Sequence, residues 1–125
     1  MSTSEKKSAL PAVFVQVRNS SKRLPGKVMM DIGGQTLIQR LHDRLVNLQP
    51  LPVYFLTSND PSDEILIEHF EEHDISYIRG SLSNVLERFI QAGETLGFEQ
   101  FFRIGFYNFC AIRFMVLIFC VLYYL

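Results

Sequence analysis

The chain carries almost no net charge: twelve Lys and Arg against thirteen Asp and Glu leave −1 over 125 residues. Such a balance creates no field that would gather nucleic acid or anionic lipid, so any affinity for phosphate must be local. Cysteine is scarce as well. Its two copies, Cys110 and Cys120, sit in one apolar tail, at a spacing that fits no zinc pattern and makes no disulfide framework. The cysteine-free remainder suits a reducing cytosol. The stretch MSTSEKKSALP carries charges but no apolar h-region, so 1–11 reads as a flexible polar leader and not as a secretory signal. Internal repeats and low-complexity linkers are missing before residue 105, and no GxxxxGK[ST] phosphate loop occurs. Acid disappears after Glu99.

What is present is one domain's worth of alternating elements. Residues 12–17, AVFVQV, form a short β-branched run of the kind that makes a buried strand. A polar loop covers 18–27. DIGGQ is a turn signal, and a helix follows from about 36 to 48, with Leu37, Ile38, Leu41, Leu45 and Leu48 on one face. Strands are expected at 53–57, 75–79 and 100–104. Between them lie a helix from Asp60 to about Glu72, burying Ile65, Leu66 and Phe70, and a helix from Asn84 to about Leu96. Asp60-Pro61 suits a helix start, and Asp63 puts negative charge at the positive end of that helix dipole. Asn84 with Glu87 has capping-box spacing, and Gly97 stops the helix. This order implies an α/β fold: a mostly parallel sheet with helices on both faces, joined by right-handed crossovers. Ligands of such sheets bind beyond the carboxyl ends of the strands, where the first loop emerges.

That loop, Arg18-Asn19-Ser20-Ser21-Lys22-Arg23-Leu24-Pro25-Gly26-Lys27, holds four cations and no acid. A triphosphate needs close backbone N–H donors, cations and small hydroxyl donors, and all three types are here. Gly26 opens the approach and Pro25 stiffens the loop. Arg18 and Arg23 can fork onto phosphate oxygens, while Lys27 supplies a point charge. The plainer alternative is a solvated basic surface loop.

The run from Val15 to Lys27 with Asp31-Ile32-Gly33-Gly34 resembles the opening of the cytidylyltransferase family. The fit is tightest to the spore-coat polysaccharide biosynthesis protein F group, whose pattern reads Q-x-R-x-x-S-x-R-L-P-G-K. The likeness continues through Thr57-Ser58-Asn59-Asp60-Pro61 and through Arg79 to Phe89, and covers residues 13–104. It implies a three-layer, Rossmann-like nucleotide-diphospho-sugar transferase fold, here ending after about four strands. It also implies transfer of CMP from CTP to a sugar hydroxyl, with release of pyrophosphate. By the same resemblance Arg18, Ser21, Arg23, Gly26 and Lys27 belong to the triphosphate loop. Arg18 and Lys27 would offset the charge of the leaving pyrophosphate, and Gly80 and Ser81 would flank the cytidine. Cations and Mg²⁺ dominate such chemistry.

Relatives follow the 100–104 strand with a segment like T-G-D-N-P, whose aspartate holds the Mg²⁺. This chain reads Gly105-Phe106-Tyr107-Asn108-Phe109. The expected magnesium therefore has no carboxylate here, and the family's sugar pocket and dimer-forming parts have no counterpart. Residues 105–125 are apolar at 18 of 21 positions, with Arg113 as their one charge. They read as an aberrant tail from a shifted frame or an intron read through, which the nucleotide sequence around codons 103–110 would check. A membrane tail is the rival. Residues 114–125 fall short of the ~20 needed to span, and extending back past Arg113 costs about 2.5–3.5 kcal/mol. Two functions follow: a cytoplasmic, CTP-dependent sugar nucleotidyltransferase or a fragment of one, and a non-catalytic nucleotide-binding remnant. His69-Phe70-Glu71-Glu72-His73 matches H-x-x-E-H, but with no third ligand in view solvated histidines are expected, as for His42.

Overall fold

A computed structural model describes residues 10–20 and 26–105. Residues 1–9, 21–25 and 106–125 lie outside the described residues, and so do the expectations placed on them. Strand β1 is Ala12–Gln16. A two-residue hairpin follows, β2 (Asp31–Ile32) and β3 (Gln35–Thr36), turned by Gly33 and Gly34 at φ 65° and 90°. Helix α1 (Leu37–Leu48), strand β4 (Val53–Ser58), helix α2 (Glu64–Glu72), strand β5 (Tyr77–Gly80), helix α3 (Val85–Leu96) and strand β6 (Phe101–Gly105) complete it.

Four strands form one parallel sheet in the order β5-β4-β1-β6. The first two crossovers step outward from β1 in one direction, and the third jumps back over it. With right-handed crossovers, that reversal puts α3 on the opposite face from α1 and α2. The core divides accordingly. Val13, Val15, Val17 and Phe55 pack with Leu37, Ile38 and Leu41 of α1 and with Leu66, Ile67 and Phe70 of α2. Ala12, Phe14, Leu56 and Phe101 pack with Phe89 and Ala92 of α3 on the other side. The reversal occurs between β1 and β6, so a crevice is expected beyond their carboxyl ends, on the α3 face.

Local chemistry explains most of the boundaries. Thr36 caps α1 by accepting from Gln39 N at 3.1 Å. Gln49 closes the helix by donating to Leu45 O and Leu51 O and accepting from Leu51 N. Asn84 accepts from Glu87 N at 3.0 Å, which is half of the expected capping box; Asn84 N donates to Ser81 Oγ, not to Glu87. Gly97 ends α3 at φ 79°.

Two buried faces differ from expectation. Core contacts of α1 thin toward its end, leaving Leu45 half-buried and Leu48 exposed. On α2 the face centres on Leu66 and Phe70 with Ile67 and His69 beside them, while Ile65 points outward, since each residue turns about 100°. His69 is thus buried, not solvated, and its Nε2 pairs with Thr36 Oγ1 at 3.1 Å. His42 is half-buried, against Phe55. No helix of the described residues is long and apolar enough to cross a membrane.

Phe14 anchors the α3-side core, stacked on Phe101 at 4.7 Å and edge-on to Tyr54 and Phe98. Phe14→Ala is expected to cost about 3–5 kcal/mol through lost burial and a cavity. Urea midpoints that move by less than about 1 kcal/mol equivalent would show a core that collapses around the gap.

Candidate functional site

At the carboxyl end of β1 the chain stays tied to its neighbour for one more residue, because Val17 N donates to Leu56 O at 3.0 Å. The next two residues meet a carboxylate from another part of the chain. Asp60 accepts from Ser62 N and Oγ, and Pro61 opens a single 3-10 turn over Pro61–Asp63. That turn tucks Asp63 under the end of β1, fully buried. Asp63 Oδ1 accepts from Asn19 N at 2.8 Å, and Oδ2 accepts from Arg18 Nε at 3.1 Å and from Ser58 Oγ. Burial pushes its pKa up, but the hydrogen bonds from Ser58, Asn19 and Arg18, with the Arg18 charge, outweigh burial and hold the carboxyl below its ordinary value. Asn19 Nδ2 adds a bond to Ser62 O. The expected dipole partner is therefore the hub that fixes where the basic loop begins.

The loop's far end is fixed as well. Gly26 N donates to Asn19 O at 2.9 Å, and Gly26 takes φ 74°, a conformation that costs glycine little. Lys27 follows in a 3-10 turn, half-buried; its carbonyl accepts from Met30 N at 3.1 Å, while its ammonium has no hydrogen bond or ion pair among the described residues. So of the loop residues singled out by sequence, Arg18, Gly26 and Lys27 are held at its two ends, and Ser21 and Arg23 lie outside the described residues. Gly80 and Ser81 end β5 on the same carboxyl edge, two strands away from β1. Asn59 N donates to Gly80 O, so the segments after β4 and β5 stay paired.

Three arginines absent from the expected site line this edge. Arg79 donates to Ser58 O and Asp60 O and pairs with Glu64 at 2.6 Å, bracing the Asp60–Asp63 turn. Arg88, at the start of α3, is completely buried and forks onto Ser81 O at 2.9 and 2.6 Å. Arg103, on β6, donates to Gln16 Oε1 at 2.9 Å and lies over the Phe89 ring. Arg79 and Arg103 depend on partners far away in sequence, whereas those of Arg88 lie six and seven residues before it. The one local clue is that Arg88 falls on the apolar stripe of α3, beside Phe89 and three residues after Val85.

Among the described residues no three His, Cys, Asp or Glu side chains converge. Asp63 spends both oxygens on protein donors, and Asp60 holds Ser62. The position after β6 is Phe106, outside the described residues. The rings of His69 and His73 lie 4.3 Å apart, tilted by 38°, on α2, on the helix layer opposite α3. Burial, then the charge of His73, lowers the His69 pKa, with Glu72 opposing.

The family model for cytidylyltransferases matches residues 12–104. The chain is 31% identical over 88 residues to the spore coat polysaccharide biosynthesis protein SpsF of Bacillus subtilis, covering 66% of this chain and 37% of that protein. It is 29% identical over 82 residues to an uncharacterised protein of Methanocaldococcus jannaschii, covering 65% and 34%. A solved cytidylyltransferase from Leptospira borgpetersenii superposes with a TM-score of 0.70 at 26% identity, over 75% of this chain and 40% of that one. CMP:2-keto-3-deoxy-manno-octonic acid synthetase complexed with CTP shares the fold, with a TM-score of 0.63 at 22% identity, over 77% and 40%. The chain thus spans 34–40% of the length of these relatives.

Proposed function

Because this chain belongs to the cytidylyltransferase family, we propose that its crevice binds CTP as the nucleotide-binding part of a sugar cytidylyltransferase, and that these 125 residues alone turn over no CMP-sugar. One observation carries the binding half of this reading: the Asp63 hub pins both residues that open the basic loop, at the carboxyl end of β1. The triphosphate would lie along residues 18–27, with Arg18 and Lys27 against the charge that grows on the pyrophosphate side, and Ser21 and Arg23 contributing from the loop's middle. Cytidine would lie by Gly80 and Ser81. The half without turnover rests on the donor set, since no Asp or Glu follows Glu99 and no three acid, histidine or cysteine side chains converge among the described residues. A CTP-binding protein of this kind belongs in the cytoplasm.

Thermal unfolding of the full chain with CTP, UTP, GTP and ATP tests the binding half. CTP at a hundredfold over its Kd is expected to add about 2.7 kcal/mol of stability, with the other nucleotides adding less. Equal shifts from all four, or none from any, would overturn the CTP reading. Pyrophosphate release with CTP, Mg²⁺ and acidic sugars is expected to stay at background; turnover would overturn the second half. Lys27→Ala is expected to weaken CTP binding at least about tenfold, the loss of one charge-assisted bond. Unchanged affinity in a titration would remove Lys27 from the site.

A further inference from the structure

Arg88 is the largest side chain the fold buries completely. A helix that covers a sheet asks for an aliphatic residue on its inner face, and a buried charge is costly unless it is partnered. The partners here are neutral. Nε and Nη2 fork onto Ser81 O, Nη2 also reaches Leu82 O at 3.3 Å, and no carboxylate among the described residues bonds to the guanidinium. Nη1 is buried with no hydrogen-bond partner among the described residues. Because Nε and Nη2 share one flank of the planar group, Nη1 faces away from the carbonyls they grip.

Space has been kept for this arrangement. A Cβ on Gly80 would stand 2.7 Å from Arg88 Cγ, so the glycine that ends β5 lets the arginine stem pass. The guanidinium lies within electrostatic reach of the hub: burial first, then the charge of Arg18, lowers its pKa, and Asp63 opposes. Asp63 is already matched by Arg18. Both Asp63 oxygens are taken, so that corner of the crevice holds one buried guanidinium donor without an acceptor. An anion supplies that acceptor with a charge that suits the guanidinium.

We propose that Arg88 is an anion-binding residue of the crevice: its Nε/Nη2 fork fixes the Ser81 and Leu82 carbonyls, and its free Nη1 donates to a phosphate oxygen of the bound nucleotide. The identity of that nucleotide rests on the CTP reading; the need for an anion does not. Arg88→Gln keeps a donor for the Ser81 carbonyl while removing Nη1 and the charge. Calorimetric titration of the full chain with CMP, inorganic pyrophosphate and cytidine separates the two jobs of the residue. CMP affinity is expected to fall at least about tenfold in the variant, the worth of a bond to a charged group, with cytidine affinity unchanged. Equal losses for CMP and cytidine would reduce Arg88 to a brace for the 81–82 carbonyls and overturn the proposal, as would unchanged CMP affinity. If the variant does not fold, ¹⁵N NMR of the arginine side chains in the wild type decides. CMP is expected to shift the Arg88 Nη signals and slow their exchange with water, and undisturbed signals at saturating CMP would overturn the proposal. A wild type that binds phosphate-bearing ligands without preferring CTP would sink the CTP reading and leave Arg88 in place. A wild type that prefers CTP, paired with an Arg88→Gln variant that binds it equally well, would do the reverse.

Discussion

Asp63→Ala is expected to unfold a large fraction of the protein's stability and to abolish nucleotide binding with it. The substitution strands three donors at once: Arg18 Nε, Asn19 N and Ser58 Oγ. Removing one member of a buried charge pair costs about 3–5 kcal/mol. The Arg18 side chain is 28% exposed, so water recovers part of its charge, and the lower end of that range applies. Against a usual total of about 5–15 kcal/mol, 3 kcal/mol is severe. The functional loss has a separate cause. Without Asp63 the Arg18 side chain keeps only its bond to Ser20 and Asn19 only those with Ser62 and Gly26, so more of the ordering of the loop mouth falls to the nucleotide. Denaturant melts and CTP titration of the same sample check both parts, and a variant that melts like the wild type would show that the hub contributes nothing to stability.

Asp63→Asn adds a pH test. The folded carboxyl titrates below its ordinary value, so its contribution is complete above that value and is lost as the pH falls through the depressed folded pKa. Wild-type stability should therefore decline on the acid side more steeply than that of the asparagine variant, whose amide does not titrate. Melts at a series of pH values from neutral downward measure the difference, and parallel acid limbs in the two proteins would contradict it.

How far the sequence reaches depends on the range of each interaction. Period and caps are local, so β1 from its β-branched run, α3 from Asn84 and Gly97, and the α/β alternation were all legible. Ile65 and Leu48 were misplaced because a stripe on a helix tells which residues share a face, while the neighbours decide how much of it is covered. Asp63 was read as a dipole partner for its own helix, since local rules see only the turn that contains it. Besides Ser58, five residues earlier, its partners Asn19 and Arg18 are 44 and 45 residues earlier and meet it only once β1 and β4 lie side by side. Arg88 was hidden differently. An arginine on a helix reads as solvated, and only the missing side chain of Gly80, eight positions before, marks where its stem runs. The place of the loop, between β1 and the Gly33-Gly34 turn, was legible from composition, because a polar run that ends a β-branched strand is a local signal.

Gly80→Ala carries the second large effect, and the reason is contact, not backbone freedom. One methyl group would meet Arg88 Cγ at 2.7 Å, Cβ at 3.2 Å and Cα at 3.3 Å. The Cα belongs to α3 and cannot move without the helix, while Gly80 is paired in register with Ser58 and accepts from Asn59 N. Neither side yields easily, so overpacking of about 1–3 kcal/mol is expected. The same displacement would drag Arg88 from the Ser81 carbonyl and blunt whatever the crevice binds. A double-mutant cycle isolates the cause. Arg88→Ala removes the Cγ that the new methyl strikes, so Gly80→Ala should cost markedly less in that background, giving a coupling of about 1 kcal/mol or more. Additive losses in the cycle would mean that the glycine is needed for some property other than room for Arg88, and would cut the link between the end of β5 and the buried guanidinium.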